Sequence, residues 1–186
     1  MNGIQLVTDY KRVREMQVLL GRYAKGPLNV FPVMSGISLP MKKLSMLETE
    51  PFIVSPKPTG TRCLMYVNAS GQIFLENMTQ HIFLIDNMKM VNCDCQPITD
   101  TVLDGIMTRE KTDANGCTTN KGKLTFVIMD AIRCNGVSLI DLNILQRIAR
   151  VKVYCFKLLK VIFRNNLADT FGSSAFIQGG DNVSMA

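Results

Sequence analysis

The chain has no tryptophan, a single histidine and no long apolar run. None of its apolar stretches approaches the roughly 20 residues that a membrane-spanning helix needs. The first residues mix acidic and basic side chains without an apolar centre, so they do not resemble a secretory signal. Heptads and Gly-X-Y repeats are also missing, which excludes coiled-coil and collagen-like classes. We therefore expect a soluble, intracellular protein.

The cysteines lack the spacing of a zinc site. Six cysteines occur at irregular intervals, with one C-x-C and no C-x-x-C, and His81 is the only histidine. Structural zinc sites usually combine two closely spaced pairs of cysteine or histidine ligands. We expect reduced thiols that serve mostly as small core residues.

The charge balance is basic, while the apolar content is sufficient for one core. The 186 residues are 47% apolar, and 21 Lys and Arg against 15 Asp and Glu give a formal charge of +6. This composition excludes intrinsic disorder and suits one domain. A positive protein favours a polyanionic partner such as a nucleotide or RNA. Charge alone does not separate that hypothesis from an ordinary, mildly basic protein.

The hydrophobic pattern predicts an α+β fold. A helix is predicted over 9–20, followed by an irregular stretch over 26–51 with a short helix near 44–47. Strands are then predicted over 52–55, 62–67, 72–75, 81–85, 101–107 and 123–130, with a polar hairpin loop at 108–122. Meander order without βαβ alternation indicates an antiparallel sheet. A second helix is predicted over 141–163, with an apolar stripe of Leu142, Leu145, Ile148 and Ala149. The denser apolar run over 151–166 is compatible with either a strand or a helix.

A turn between two predicted strands carries the residues most suited to chemistry. Lys57 is followed three residues later by Gly60 and five residues later by Arg62. A lysine amine becomes a nucleophile when burial and neighbouring cations lower its pKa. A glycine lets the backbone approach a phosphate, and an arginine offers a rigid fork of donors to ribose or phosphate. The alternative is that this segment has no catalytic role and that Lys57 is simply an exposed lysine in a Pro/Gly turn.

Further motifs accompany this turn in a specific order. Upstream is a segment with the sequence FPVMSGISL over 31–39, which we call the Phe-Pro segment. Downstream, TVLDG ends in Asp104 and Gly105, and FVIMDAIRCNG contains Met129 and Asp130. Asp-Gly and Asn-Gly pairs are also common turn signals on their own.

Together these motifs resemble the guanylyltransferase domain of eukaryotic mRNA capping enzymes. That family shares an ATP-grasp-like, antiparallel-sheet nucleotidyltransferase core with DNA and RNA ligases. Its motifs are K-x-D-G-x-R, an apolar strand ending in D-G-E, and a strand with an aromatic-Asp pair. The Phe-Pro segment is more typical of capping enzymes than of ligases. The resemblance covers about residues 13–150.

The resemblance implies a role for each motif residue. Lys57 would form a lysyl–GMP intermediate from GTP and pass the GMP to the 5′-diphosphate end of RNA. Mg²⁺ or Mn²⁺ would accompany the GTP. The GTP-binding residues implied are Gly60, Arg62, Asp104, Gly105, Met129 and Asp130. The resemblance also implies a nuclear location. It implies RNA triphosphatase or RNA polymerase II as partners.

The sequence departs from the family pattern at acidic positions. Thr59 stands where the family has Asp, Ile106 where it has the Glu of D-G-E, and Glu76-Asn77 where an Asp-Arg pair is frequent. Met129 replaces the aromatic residue that can stack on the base. Removing one well-placed charged group from such a site typically lowers the rate by about 10²–10³.

We find no match to the family's later lysine-bearing motifs. We therefore expect a partial nucleotidyltransferase domain over 1–163, without the C-terminal part and the OB-fold, and a flexible tail over 164–186. Three functions remain open. The first is an mRNA guanylyltransferase, the second is a catalytically impaired binding or partner subunit, and the third is a DNA or RNA ligase relative that uses ATP.

Overall fold

The computed structural model describes most of the chain. The described residues are 3–27, 30–36, 38–50, 52–55, 58–86, 88–92, 95–112, 118–155, 172–173 and 177–179. None of the helices in these ranges is long and apolar enough to cross a membrane.

A large, mainly antiparallel sheet forms the centre of the protein, as the sequence predicts. Its strands follow the order β1-β5-β4-β3-β6-β7-β8, and β9 pairs in parallel with β7. A separate antiparallel pair joins β2 and β10. The strands are β1 (Ile4–Leu6), β2 (Phe52–Val54), β3 (Thr61–Val67), β4 (Ile73–Asn77), β5 (Ile82–Ile85), β6 (Thr101–Thr112), β7 (Thr118–Cys134), β8 (Val137–Ser138), β9 (Gly172–Ser173) and β10 (Ile177–Gly179). The helices are α1 (Tyr10–Ala24), a 3₁₀ turn (Met41–Lys43), α2 (Met46–Thr49) and α3 (Ile144–Cys155).

The two faces of the sheet carry separate apolar clusters, because side chains alternate along each strand. On one face, which we call the α1 face, Met16 and Leu20 of α1 pack with the strand residues Leu64, Tyr66, Phe74, Ile82, Val102 and Ile132. On the other face, α3 contributes Val151 to a cluster that includes Met65, Leu103 and Phe126. The buried thiols of Cys63 and Cys134 belong to this second cluster.

Local signals explain where α1 begins and ends. The Asp9 side chain accepts hydrogen bonds from the backbone N–H groups of Lys11 and Arg12 at 3.0 and 3.4 Å. Such an N-cap satisfies donors that have no partner within the helix. The helix stops at Lys25, which adopts a left-handed conformation with φ of 50°. The predicted helix over 9–20 is therefore confirmed and extends by one further turn.

Two polar turns fix the register of neighbouring strands. In the β3–β4 hairpin, the Asn68 side-chain oxygen accepts from the backbone N–H groups of Ser70 and Gln72 at 3.0 and 2.8 Å. In the β7–β8 hairpin, Asn135 and Gly136 both have positive φ, at 43° and 80°. Two positive φ values are the requirement of a type I′ turn, which matches the strand twist. Asn135-Gly136 therefore forms the turn that an Asn-Gly pair signals.

The predicted polar loop over 108–122 is wrong for most of its length. β6 continues to Thr112 and β7 begins at Thr118, so both strands extend into this segment. These ends of β6 and β7 are rich in polar residues, so the hydrophobic pattern did not predict them as strands. Hydrogen bonding between β6 and β7 stabilises them. The short edge strand β1 was not predicted either, since three residues carry little periodicity.

The apolar stripe predicted for the second helix is also partly wrong. In α3, Ile148 and Val151 are buried, whereas Leu145 is 40% exposed and Ala149 is exposed. The helix is therefore rotated from the expected orientation. Residues 156–163 of the predicted helix lie outside the described residues. Strands β9 and β10 lie within 164–186, which was expected to be a flexible tail.

Candidate functional site

Arg62 lies at the centre of a cluster built from three distant parts of the chain. Its Nε donates to Asp104 Oδ1 at 3.0 Å, and its Nη2 donates to Asp104 Oδ2 at 2.7 Å. Its Nη1 donates to the Met34 carbonyl oxygen at 2.8 Å. The guanidinium also lies over the Phe31 ring, 5.7 Å from the ring centre. The Phe-Pro segment, β3 and β6 thus converge on one side chain.

Strand register explains why these residues meet. In the β3–β6 pair, Arg62 is opposite Ile106 and Leu64 is opposite Asp104. Arg62 and Leu64 are two residues apart, so they share the α1 face, and Asp104 shares it with them. Asp104 is therefore a diagonal neighbour of Arg62, within reach of a long side chain.

Burial and pairing act in opposite directions on the ionisation of Asp104. The residue is only 4% exposed. Burial raises the pKa of Asp104, while the hydrogen bonds and charge of Arg62 lower it again in part. The hydrogen bonds to Asp104 raise the pKa of Arg62, so the guanidinium stays charged. A bidentate arginine–carboxylate pair is strong and geometrically specific.

A second acid lies beside the first and has its own arginine. Asp130 on β7 is directly opposite Asp104 on β6. Arg147 of α3 donates to both carboxylate oxygens of Asp130, each at 2.7 Å. Met129 lies at a bulge, where the register of β7 shifts between the partners of Asp104 and Gly105. A bulge re-aims the side chains next to it.

The two glycines of the motifs are required for close backbone packing. A Cβ atom on Gly60 would clash with the Met107 carbonyl oxygen. A Cβ atom on Gly105 would clash with the Val127 carbonyl oxygen and come within 2.7 Å of the Phe126 ring. In this structure both glycines therefore approach protein atoms. A role of either glycine at a phosphate stays a prediction.

Glu76 is an acid that the sequence reasoning did not place in the site. It lies on β4, directly opposite Leu64, and is only 2% exposed. Its Oε2 has no hydrogen-bond partner, and burial raises the pKa of Glu76 to about 7. The signal was present in the sequence, since this acid directly follows the three apolar residues that end the strand predicted over 72–75.

The predicted site residues are brought together in part. Arg62, Asp104 and Asp130 lie on adjacent strands, with Met129 beside them. Lys57 lies outside the described residues, so its position relative to Asp104 stays a prediction. No group of three or more His, Cys, Asp or Glu side chains in the described ranges is arranged to hold a metal ion.

The fold and site define a class of protein. It is an α+β protein whose mainly antiparallel sheet carries aspartates on neighbouring strands, each paired with an arginine. The family described as mRNA capping enzyme, catalytic domain, matches residues 1–179. The chain therefore belongs to the capping enzyme catalytic-domain family, as its motifs indicate.

Two relatives illustrate how distant the similarity is. The chain is 24% identical over 152 residues to an mRNA-capping enzyme of Caenorhabditis elegans, which covers 82% of this chain and 24% of the relative. It is 25% identical over 138 residues to an mRNA-capping enzyme of Danio rerio, which covers 73% of this chain and 22% of the relative. The chain thus spans about a quarter of the length of these curated relatives.

Proposed function

We propose that this protein is an mRNA guanylyltransferase that transfers GMP from GTP to the 5′-diphosphate end of RNA. The observation that carries the proposal is the convergence of the Phe-Pro segment and the Asp104 strand on the guanidinium of Arg62, the arginine of the K-x-x-G-x-R motif. These motifs are far apart in sequence, so their meeting in one cluster supports a shared site. Membership of the capping enzyme family gives that site its substrate class.

The proposed reaction has two steps at one phosphorus atom. In the first, the neutral amine of Lys57 attacks the α-phosphate of GTP, a P–N bond forms, and the P–O bond to pyrophosphate breaks. The amine loses its proton to solvent. In the second, a terminal oxygen of the RNA diphosphate attacks the same phosphorus, the P–N bond breaks, and Lys57 regains a proton. Splitting one transfer into two is the advantage of a covalent intermediate.

Arg62 is the described residue best placed to bind the nucleotide. An arginine has five N–H donors. Its hydrogen bonds to Asp104 and Met34 use three of them and hold the guanidinium plane in a fixed orientation. One N–H on each terminal nitrogen is then available to a ribose hydroxyl or a phosphate oxygen.

The acids of the site do not form a resident metal site in the described residues. Asp104 and Asp130 are each engaged by an arginine, and Ile106 has no oxygen ligand to offer. Mg²⁺ is usually bound through one or two carboxylates together with substrate phosphates. We therefore regard Mg²⁺ or Mn²⁺ as part of the GTP substrate. Roles for Asp104, Asp130 and Met129 at the ribose or base belong to the same proposal.

Covalent labelling tests the proposal directly. The protein is incubated with α-labelled GTP and magnesium or manganese, and the label is followed on a denaturing gel. We expect a protein-bound label that acid removes and alkali does not, as for a phosphoramidate, and that is lost in Lys57→Ala. Lys42→Ala is the matched control, since Lys42 lies in an exposed turn outside the cluster. Labelling that survives Lys57→Ala would refute the proposal.

A catalytically impaired subunit is the second candidate, and the described site gives it specific support. Thr59 and Ile106 replace two family acids, and both remaining aspartates are paired with arginines. Such a protein would bind GTP or RNA, or a complete partner, without forming the adduct. GTP binding without any label on Lys57 would favour this function. Labelling from ATP in preference to GTP would instead favour a ligase relative.

The cellular setting follows from the same proposal. An RNA-capping role is consistent with the basic charge of the chain, which suits a nucleic-acid partner. We place the protein in the nucleus on this basis, with RNA triphosphatase or RNA polymerase II as candidate partners. Fractionation of cells that express the tagged full chain tests the location.

A further inference from the structure

Arg62 has two buried carboxylates at equivalent positions, one on each neighbouring strand. The residue two positions further along β3 is Leu64, and it lies opposite Asp104 on β6 and opposite Glu76 on β4. Diagonal neighbours across an antiparallel pair lie about 7–8 Å apart, within reach of long side chains. Arg62 pairs with Asp104 in this structure. The register offers it Glu76 on the other side.

Glu76 is a buried acid whose Oε2 atom has no hydrogen-bond donor as a partner. The side chain is 2% exposed, and its Oε2 accepts no hydrogen bond. On one side it faces β5, whose four residues are all apolar, and α1 covers this face through Met16 and Leu20. Arg62 is the one charged residue of β3, and the charged residue of β6 opposite Leu64 is Asp104. From α1, the Arg12 guanidinium lies over the Phe74 ring, 5.1 Å from its centre. A buried carboxyl is normally paired or hydrogen-bonded.

We propose that Glu76 is a second docking position for the Arg62 guanidinium and therefore a positioning residue of the site. Arg62 exchanges Asp104 for Glu76, and the Glu76 carboxyl releases its proton to solvent when the new pair forms. The exchange frees the Asp104 carboxylate to accept hydrogen bonds from a nucleotide. This last consequence rests on the proposed function, whereas the exchange itself rests only on the sheet geometry.

The ratio of one arginine to two buried carboxylates explains why the exchange would respond to a ligand. One guanidinium serves two buried carboxylates, so one of them always lacks an arginine. Without a ligand, the protonated form of Glu76 is the less costly way to hold the unpaired group. A nucleotide that donates hydrogen bonds to Asp104 supplies the missing partner and shifts the population toward the Arg62–Glu76 pair.

Thermal unfolding tests the exchange without any nucleotide, because the effect of Glu76→Gln on the melting temperature should change sign when Asp104 is replaced. At pH 8, Glu76→Gln removes an acid that lacks a partner, so we expect the melting temperature to rise by at least about 2 °C. In the Asp104→Asn background, Arg62 has turned to Glu76. The same Glu76→Gln change then removes a paired acid and should lower the melting temperature by a similar amount. The coupling between the two positions is read from the complete double-mutant cycle.

Asp100→Asn provides the matched control background. Asp100 is also a partly buried aspartate paired with an arginine, Arg133, at 2.7 Å. Glu76→Gln should raise the melting temperature in that background as it does in the wild type. If Glu76→Gln shifts the melting temperature in the same direction in the wild-type and Asp104→Asn backgrounds, the proposal is overturned.

A measurement on the wild-type protein covers the case in which Asp104→Asn does not fold. The ¹H–¹⁵N resonance of Arg62 Nε is followed from pH 5.5 to pH 8.5 (the chosen range, about 1.5 units on each side of the midpoint). We expect a titration with a midpoint of about 7, the pKa of Glu76, and its loss in Glu76→Gln. A resonance that does not titrate, or that titrates equally in the variant, would overturn the exchange.

Nucleotide binding then tests the consequence for Asp104. Calorimetry with GTP and magnesium should show about tenfold weaker binding to Glu76→Gln than to the wild type, because Arg62 can no longer leave Asp104. Equal affinity would refute the release of Asp104 but leave the exchange intact. Wild-type protein that binds no GTP would refute both the proposed function and this consequence. The thermal cycle would still decide the exchange.

Discussion

Arg62 and Asp104 depend on each other more than an ordinary surface ion pair does. The side chains are 18% and 5% exposed, so each is largely removed from water. Removing one partner of such a pair leaves an uncompensated charge, which is far more costly than losing the attraction itself. Removing either partner of the pair seen in this structure should therefore be costly.

We predict that Arg62→Met lowers the free energy of unfolding by about 3–5 kcal/mol near neutral pH. Adding Asp104→Asn should recover part of this loss, because it removes the stranded charge. Urea unfolding of the single and double variants measures both effects. Lys25→Met is the control, since the Lys25–Asp141 pair is 62% and 81% exposed and should contribute little. Equal costs for Arg62→Met and Lys25→Met would contradict the prediction.

Glu76 should make the stability depend on pH in a specific direction. Burial raises the pKa of Glu76 to about 7. Between its ordinary value and about 7, the unfolded chain has lost the proton that the folded protein keeps. Stability therefore falls as pH rises through this window and levels off above it. The shift corresponds to a penalty of about 3 kcal/mol at pH 8.

Urea unfolding of the wild type and Glu76→Gln at two pH values checks this prediction. The variant should be more stable than the wild type by about 3 kcal/mol at pH 8, and the difference should largely disappear at pH 5. Comparing the two proteins at each pH cancels the contributions of the other carboxylates. A difference of the same size at both pH values would mean that the effect comes from packing instead of ionisation.

At the scale of elements, the β6–β7 pair positions the acids of the site. Asp104 and Asp130 are opposite each other, and the register shifts immediately after them. Gly105 lies at that shift, with its backbone close to the Val127 carbonyl oxygen and the Phe126 ring. The absence of a side chain at Gly105 therefore allows the two strands to approach closely.

Gly105→Ala should test this packing. We expect a loss of about 1–3 kcal/mol, because the added methyl group must displace backbone and a buried aromatic ring. Gly36→Ala is the matched control, since a Cβ atom there meets nothing within 4 Å. Thermal unfolding of both variants measures the difference. If Gly105→Ala melts at the same temperature as Gly36→Ala, the two strands can relax around the added methyl group.

The elements differ in how far the sequence could predict them. Short runs of apolar, β-prone residues located β3, β4 and β5 to within one or two residues. The ends of β6 and β7 were missed, because polar strands that pair with each other have no periodicity to detect. The rotation of α3 was missed because Arg147 turns toward Asp130, a contact that helix periodicity does not contain.

At the scale of the whole molecule, the site is a product of long-range register. Arg62 bonds residues 28 and 42 positions away in sequence, and Asp130 bonds a residue 17 positions away. Motif order located Arg62, Asp104 and Asp130 in the sequence. It could not predict that each acid would be held by an arginine, or that Glu76 would face the same arginine. Those relations depend on which strands are neighbours.

The last prediction concerns the two acids that the family pattern has and this chain lacks. Thr59 lies in an exposed turn, and Ile106 lies directly opposite Arg62 in the β3–β6 register. Thr59→Asp would place a carboxylate two residues after the motif lysine in sequence, and Ile106→Glu would place one opposite the motif arginine. If the chain is a guanylyltransferase weakened by these losses, the combined change should raise Lys57 labelling by GTP at least about tenfold, or about 1.4 kcal/mol.

The combined change should exceed the product of the single changes, because both carboxylates act on the same reacting phosphate. Thr108→Glu is the control for Ile106→Glu, since it adds the same charge two residues along β6 but not opposite Arg62. Melting curves must accompany the labelling, because a half-buried glutamate can itself destabilise the strand. If the restored protein melts normally, binds GTP and gains no label, the two acids do not limit the reaction. The impaired binding subunit would then be the better description, since restoring the two family acids would not have restored the reaction.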